Sequence, residues 1–318
     1  MGTDAKTGSP RRACVQPLTA ALVMAGLCAC AALGCAMRGE ARPEAPGVST
    51  ADKHYDVAVG SFHNGMFEDA KMNLERALTV DPRHAESHYL RGVLLLNEGR
   101  TIVDAIELQQ CLTDRAADQQ RERAESLHRQ AAQSFEQAVQ HFEDGAAGRG
   151  RALNSMSVVA LFFHETERAV EHARAALAEQ FYTDRYSALS NLGWALHNEG
   201  DSISATAELR QAVLINPDFC VGRYRLAHVY LDAGWVEQAL EEAESVIEND
   251  RCPIQDAYRI AGVARMRLGR TQEARQAFAA CVELAPRSCL ARDCRNLLGP
   301  DGPTGGETTV AGAPGPSR

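Results

Sequence analysis

Aromatic residues make up only 6% of this 318-residue chain. A β-sandwich or barrel draws on ring-rich and β-branched strands. Scarce rings beside abundant alanine indicate instead helices that pack through small side chains. Lysine and arginine form no run beyond the first residues, and the net charge is −9. The clustered cations that nucleic-acid phosphates require are therefore missing, and no nucleic-acid partner is expected. The catalytic signatures are absent as well: no G-x-x-x-x-G-K-[ST], no G-x-G-x-x-G, no H-E-x-x-H and no G-x-S-x-G. No C-x-x-C pair exists to hold zinc. The histidines are scattered along the chain, and Asp and Glu fall mainly on helix faces, where solvation is their ordinary role. Neither a catalytic residue, a cofactor nor a metal is expected.

The first feature that is present is an export signal. Arg11 and Arg12 precede an uncharged apolar run from Ala13 to Met37 whose only polar side chains, Gln16 and Thr19, lie near its start. Ala32-Leu33-Gly34-Cys35 puts a small residue just before a cysteine, and a polar segment begins at Arg38. Cys35 is thus the expected lipid anchor. Cys30, with Leu27 three residues before it, is the alternative. The run is also long enough to span a bilayer uncleaved. Several acyl chains on Cys35 would anchor the protein stably. Ala36 follows the cysteine where an aspartate would favour the inner membrane, so the expected location is the outer membrane, facing the periplasm. The expected organisation is a signal peptide over 1–35, a flexible Pro/Gly-rich linker over 36–50, a folded domain over 51–298 and a disordered tail over 299–318.

Within 51–298 small residues recur with a period of 34. In Tyr186–Phe219, Gly193 stands at position 8, Gly200 at 15, Ala205 at 20, Ala212 at 27 and Pro217 at 32. Gly193 and Ala205 are small where two helices cross closely. Gly200 ends the first helix with positive φ, and Pro217 stops the second. Copies recur at 51–84 (Ala58, Gly65, Ala70, Ala77, Pro82), 220–253 (Ala227, Gly234, Ala239) and 255–288 (Gly262, Gly269, Ala274, Phe278, Pro286). At 150–183, Ser157 and Ala169 hold the crossing and His164 replaces the turn glycine; Asp184 and Arg185 are extra to the period. A copy opens at Ala85 with Gly92 and Gly99, but Ala105 comes one residue late. Residues 118–149 are either a degenerate repeat or one long helix, with Phe135, Ala138, Val139 and Phe142 on one stripe. This is the length and pattern of the tetratricopeptide repeat. The expected fold is all-α, a superhelical solenoid of six to seven helical hairpins. Its open end is covered by a capping helix carrying Leu290, Ala291, Leu297 and Leu298.

In such a stack positions 2, 5, 9, 12 and 13 of each first helix face a concave groove. They carry Tyr55, Val59, Phe62 and His63; Tyr89, Val93 and Leu96; Asn154, Val158, Leu161 and Phe162; Trp194, His197 and Asn198; Tyr224, His228 and Asp232. Apolar rings on a face that solubility would keep polar mark a protein-partner site, one suited to an amphipathic helix or an extended segment. The other reading is packing against neighbouring helices.

Ten cysteines are many. Cys14, Cys28, Cys30 and Cys35 belong to the signal, and six remain, which in an exported chain suggests disulfides. Cys220 and Cys252 stand at the two neighbouring ends of one hairpin. Cys281 can reach Cys294 or Cys289 on the capping helix. Cys111 reads as a small buried apolar residue inside a helix.

Leu177-Ala178-Glu179-Gln180-Phe181-Tyr182, then Ala188, Asn191-Leu192-Gly193 and Gly200-Asp201, resembles the type IV pilus biogenesis lipoproteins of the PilF/PilW type. Asn216-Pro217-Asp218-Phe219-Cys220, Arg251-Cys252-Pro253, Cys281 and Cys294 look like the Tgl branch of that family, found in bacteria with social gliding motility. The proline that usually follows the tyrosine is absent here. The resemblance implies a pilotin, an outer-membrane lipoprotein that helps the pilus secretin assemble, with no catalysis. A generic scaffold of envelope assembly, or a non-catalytic subunit of a cell-wall enzyme complex, are the other functions compatible with such a solenoid.

Overall fold

The computed structural model describes residues 49–112 and 114–299. The signal with Cys35, the linker up to residue 48 and the tail from residue 300 lie outside the described residues. Among those described there are thirteen α-helices and no strand: α1 Thr50–His63, α2 Phe67–Val80, α3 Ala85–Asp104, α4 Arg115–His141, α5 Ala147–Phe162, α6 Thr166–Ala178, α7 Arg185–Asn198, α8 Ser202–Ile215, α9 Cys220–Asp232, α10 Val236–Ile247, α11 Gln255–Arg267, α12 Thr271–Leu284 and α13 Cys289–Leu298. The first twelve pair into six hairpins and α13 caps the stack. No described helix is long and apolar enough to cross a membrane.

Local sequence explains the boundaries. Ser49 and Asp52 form a reciprocal capping box, so α1 starts at Thr50, inside the expected linker. Gly200 ends the α7 hairpin turn at φ +89°, and His164 takes the same left-handed conformation at φ +57°. At the crossings, a Cβ on Gly193 would lie 2.7 Å from Leu209, and one on Gly92 2.5 Å from the Phe135 ring. Where glycine is replaced by Ser157, the hydroxyl donates to the Ala169 carbonyl at 2.9 Å and satisfies itself across the same crossing. Of the two residues extra to the period, Asp184 caps α7 and Arg185 opens it, and residues 179–184 form a non-helical junction between α6 and α7. There Tyr182 is buried against Leu153, Ala176 and Ala188, and the Glu179 carboxylate holds Arg149 and the Gly145 amide.

The second hairpin departs from the repeat. Gly99 was expected at its turn, with Ala105 on the second helix. Instead α3 runs through Gly99, continues as a π-helical turn over Ala105–Gln109, and turns only after Gln109, before α4 begins at Arg115. Gly99 is a crossing glycine: a Cβ there would meet His128 at 2.6 Å. Residues 118–149 are therefore not a separate repeat. The 27-residue α4 is the lengthened partner of a lengthened α3. Phe135 fills the place across from Gly92 that Leu209 fills across from Gly193.

First helices of successive hairpins touch each other, α3 with α5, α5 with α7, α7 with α9 and α9 with α11. No comparable contact joins successive second helices among the described residues. The layer with the closer spacing is the inside of the curve, so the odd-numbered helices line the concave face. Curvature also brings the π-helical turn after α3 against α13.

Three disulfides tie the stack. Cys220–Cys252 spans the ends of the fifth hairpin. Cys281 chooses Cys294, holding the capping helix to α12. Cys111, expected as a buried helical residue, lies outside any helix at φ +47° and is bonded to Cys289, 178 residues away. Residues 111–289 thereby form a covalently closed loop.

Candidate interaction groove

The inner helices place the expected groove residues on one side, but nearly every ring is half-buried rather than free. Tyr55, Val59 and Phe62 of α1 rest on Ala58, Leu74, Leu90 and Leu94. Tyr89 of α3 packs on Phe135 with ring centroids 5.9 Å apart, and the Arg151 guanidinium lies 5.3 Å over its other side. Burial pushes the phenols of Tyr55 and Tyr89 above their ordinary pKa. Phe162, at the end of α5, stacks on His128 of α4 at 3.7 Å, with the rings 6° from parallel. That imidazole donates through Nδ1–H to the Ala124 carbonyl, 2.7 Å away, and burial lowers its pKa. Phe162 is thus held in the joint between the second and third hairpins.

The densest part of the groove is built by α7, α9 and α11. Trp194 and Tyr224 lie half-buried on the main core cluster of Leu192, Leu196, Leu226 and Ile260. The Arg225 guanidinium sits 5.7 Å from the Trp194 ring. Its hydrogen bonds go to neutral groups, Ser190 Oγ at 3.0 Å and Asn191 Oδ1 at 2.8 Å, and burial lowers its pKa to about 10. No carboxylate pairs with it among the described residues, so it is a cation whose desolvation is only partly offset. Asn191 in turn donates to Asn154 Oδ1, and Asn154 donates to Ser187 Oγ. This polar ladder crosses α5, α7 and α9. At the far end the Tyr224 hydroxyl donates to Asp256 Oδ2 at 3.1 Å, and Arg259 pairs with the same carboxylate. Burial, first, and then Asp256 push the Tyr224 phenol far above its usual pKa. Two imidazoles, His197 and His228, close this region around Asp232.

Position 6 of a repeat was not among the groove positions considered, which is why Arg225 was missed, Asn191 figured only in the family resemblance, and Asn154 was placed in the groove without the ladder it belongs to. Periodicity did put Trp194, His197, Tyr224, His228 and Asp232 on inner helices. It could not give their degree of burial. A face of this composition offers ring edges, a cation with only neutral partners and amide groups, which suits a peptide segment.

Models of the tetratricopeptide repeat match residues 62–119, 186–219 and 224–288. The protein is a tetratricopeptide-repeat solenoid. No protein of curated function matches it in sequence. Among solved structures, the repeats are similar to PilW, a widely conserved type IV pilus biogenesis factor, at 17% identity with a TM-score of 0.60, covering 76% of this chain and 97% of that one. PilF of Pseudomonas aeruginosa matches at 16% identity and a TM-score of 0.55, covering 78% and 97%. Cut9, in complex with Hcn1 in the APC/C hetero-tetramer, matches at 13% and 0.58, covering 78% of this chain but 42% of that one. At these identities the likeness is one of fold. It extends over nearly all of PilW and PilF and less than half of the Cut9 complex chain.

Proposed function

We propose that the protein is a non-catalytic pilotin: a lipoprotein, anchored through Cys35 in the outer membrane and facing the periplasm, whose concave face holds a segment of the type IV pilus secretin during its assembly. The observation that carries this reading is the recurrence of half-buried rings on four of the inner helices (Tyr55, Tyr89, Trp194 and Tyr224) within a fold whose length matches PilW and PilF. A groove of that kind binds by burying ring edges and excluding water, and needs no reactive group. Arg225 adds specificity for a segment that brings a carboxylate or a chain of carbonyls to the Trp194 region.

The test is made in cells. Removing the chain should abolish or strongly reduce heat-resistant secretin multimers while leaving secretin monomer present. Trp194→Ala should weaken segment binding by roughly 2 kcal/mol or more and reduce multimers while the lipoprotein stays abundant. The ring also packs on Arg225 and His228, so the melting temperature of purified Trp194→Ala should be measured alongside, and a modest fall is expected. Undiminished secretin multimers in the strain lacking the chain would remove the pilotin reading.

A further inference from the structure

Two neighbouring repeats converge three metal-ligating groups on the inner face. His197 lies in the last turn of α7, and His228 and Asp232 stand one turn apart on α9. Asp232 Oδ2 is 3.2 Å from His197 Nε2 and 3.3 Å from His228 Nδ1. One ligand atom from each residue falls within 4.8 Å of the others. Two ligands of one tetrahedral ion, each at about 2.0–2.1 Å from it, are themselves about 3.3 Å apart. Both nitrogen–oxygen separations have that value. The Nδ1 atoms of His197 and of His228 are buried and make no hydrogen bond. For His228 this is the nitrogen that faces the carboxylate, 3.3 Å away without a hydrogen bond, and a cation between the two would satisfy both. Edge and face contacts from Trp194, 5.3 Å from His197 and 5.2 Å from His228, wall the site on one side. Asp232 is 48% exposed on the other.

We propose that His197, His228 and Asp232 form a site for a divalent first-row transition ion, Zn2+ by the donor set, that clamps α7 to α9 on the concave face. Two imidazoles and one carboxylate supply three ligands and leave a position open toward the groove, for water or for a donor from a bound segment. The neutral imidazole is the ligating form. Sequence alone suggested no metal because the cysteines lack zinc spacing. The ligands here come from two repeats and meet only through the stacking of α7 on α9. The inference stands apart from the pilotin reading, since it concerns the chain without any partner.

The experiment is a titration of the purified, oxidised full-length chain with Zn2+ against a chromophoric chelator, repeated with Co2+ and read in the visible. The expected result is one equivalent bound saturably, a four-coordinate Co2+ spectrum, and a melting temperature that rises with added Zn2+. Asp232→Asn, a conservative change at a half-exposed position, should weaken binding at least about tenfold with the circular dichroism unchanged, and so should His228→Gln. Absence of a saturable equivalent, or equal affinity in Asp232→Asn and the parent, overturns the proposal. Loss in His228→Gln alone, with Asp232→Asn unaffected, overturns it too, because the carboxylate is then no ligand.

Discussion

Replacing Cys111 and Cys289 together by serine should cost more stability than removing either of the other two disulfides. A cross-link acts largely by restricting the unfolded chain, and its effect grows with the loop it closes. The three loops span 178, 32 and 13 residues. The loop-closure model then gives about 5 kcal/mol for Cys111–Cys289, about 4 for Cys220–Cys252 and about 3 for Cys281–Cys294. The long one has a structural reason to reach its full value. It ties the tip of the second hairpin to the capping helix, so that no repeat between them can peel away without straining the closed loop. A solenoid without such a tie frays from its ends, since each repeat touches only its neighbours. Denaturant unfolding of the three double-serine variants, each with the remaining bridges intact, checks the order. A Cys220/Cys252 variant less stable than the Cys111/Cys289 variant would contradict it.

Phe135→Ala should destabilise the protein by about 3–5 kcal/mol, the usual range for emptying a buried phenylalanine site. The ring is fully buried and sits among Ala131, Val159, Tyr89, Val93 and Leu96, directly over Gly92. It therefore joins α3, α4 and α5, the part of the stack where the repeat is irregular. The void cannot collapse cheaply, because the backbone of α3 already approaches as near as Gly92 permits. Gly92→Ala tests the same contact from the other side. It should destabilise through overpacking by about 1–3 kcal/mol, and in the Phe135→Ala background much of that loss should vanish because the methyl then enters the void. Chemical denaturation of the four-member cycle gives the coupling. Additive costs would mean that the two residues do not share this crossing.

These two regions also mark how far the sequence could be read. Regular hairpins were legible because a small residue at position 8, a turn glycine at 15 and a small residue at 20 each answer a local need: Gly193 makes room for Leu209, and Gly200 supplies φ +89°. The second hairpin defeated the same reasoning, since Gly99 occupies the turn position but serves a crossing with His128. A period cannot say which of glycine's two uses is meant. Cys220–Cys252 and Cys281–Cys294 were foreseeable from positions within a hairpin and its neighbour. Cys111–Cys289 was not, because it depends on the accumulated curvature of four hairpins. In the groove, helix positions identified the inner face but not how far each ring on it is covered. Trp194 and Tyr224 sit on inner helices, but those helices touch one another and half-cover the rings. His197, His228 and Asp232 appeared as scattered side chains because their meeting is a property of stacking, not of spacing.

The measurement that bears most directly on the central claim is site-specific photo-crosslinking in living cells. A photoreactive residue is placed at Asn198 or Tyr224 on the inner helices, and separately at Ile203 or Leu214, which are exposed on α8 of the outer layer. Products are identified by mass spectrometry. Crosslinks from Asn198 and Tyr224 to one segment of the pilus secretin, with none from Ile203 and Leu214, are the result this account predicts. Secretin crosslinks from the α8 positions alone, or inner-face crosslinks only to other envelope proteins, would contradict it.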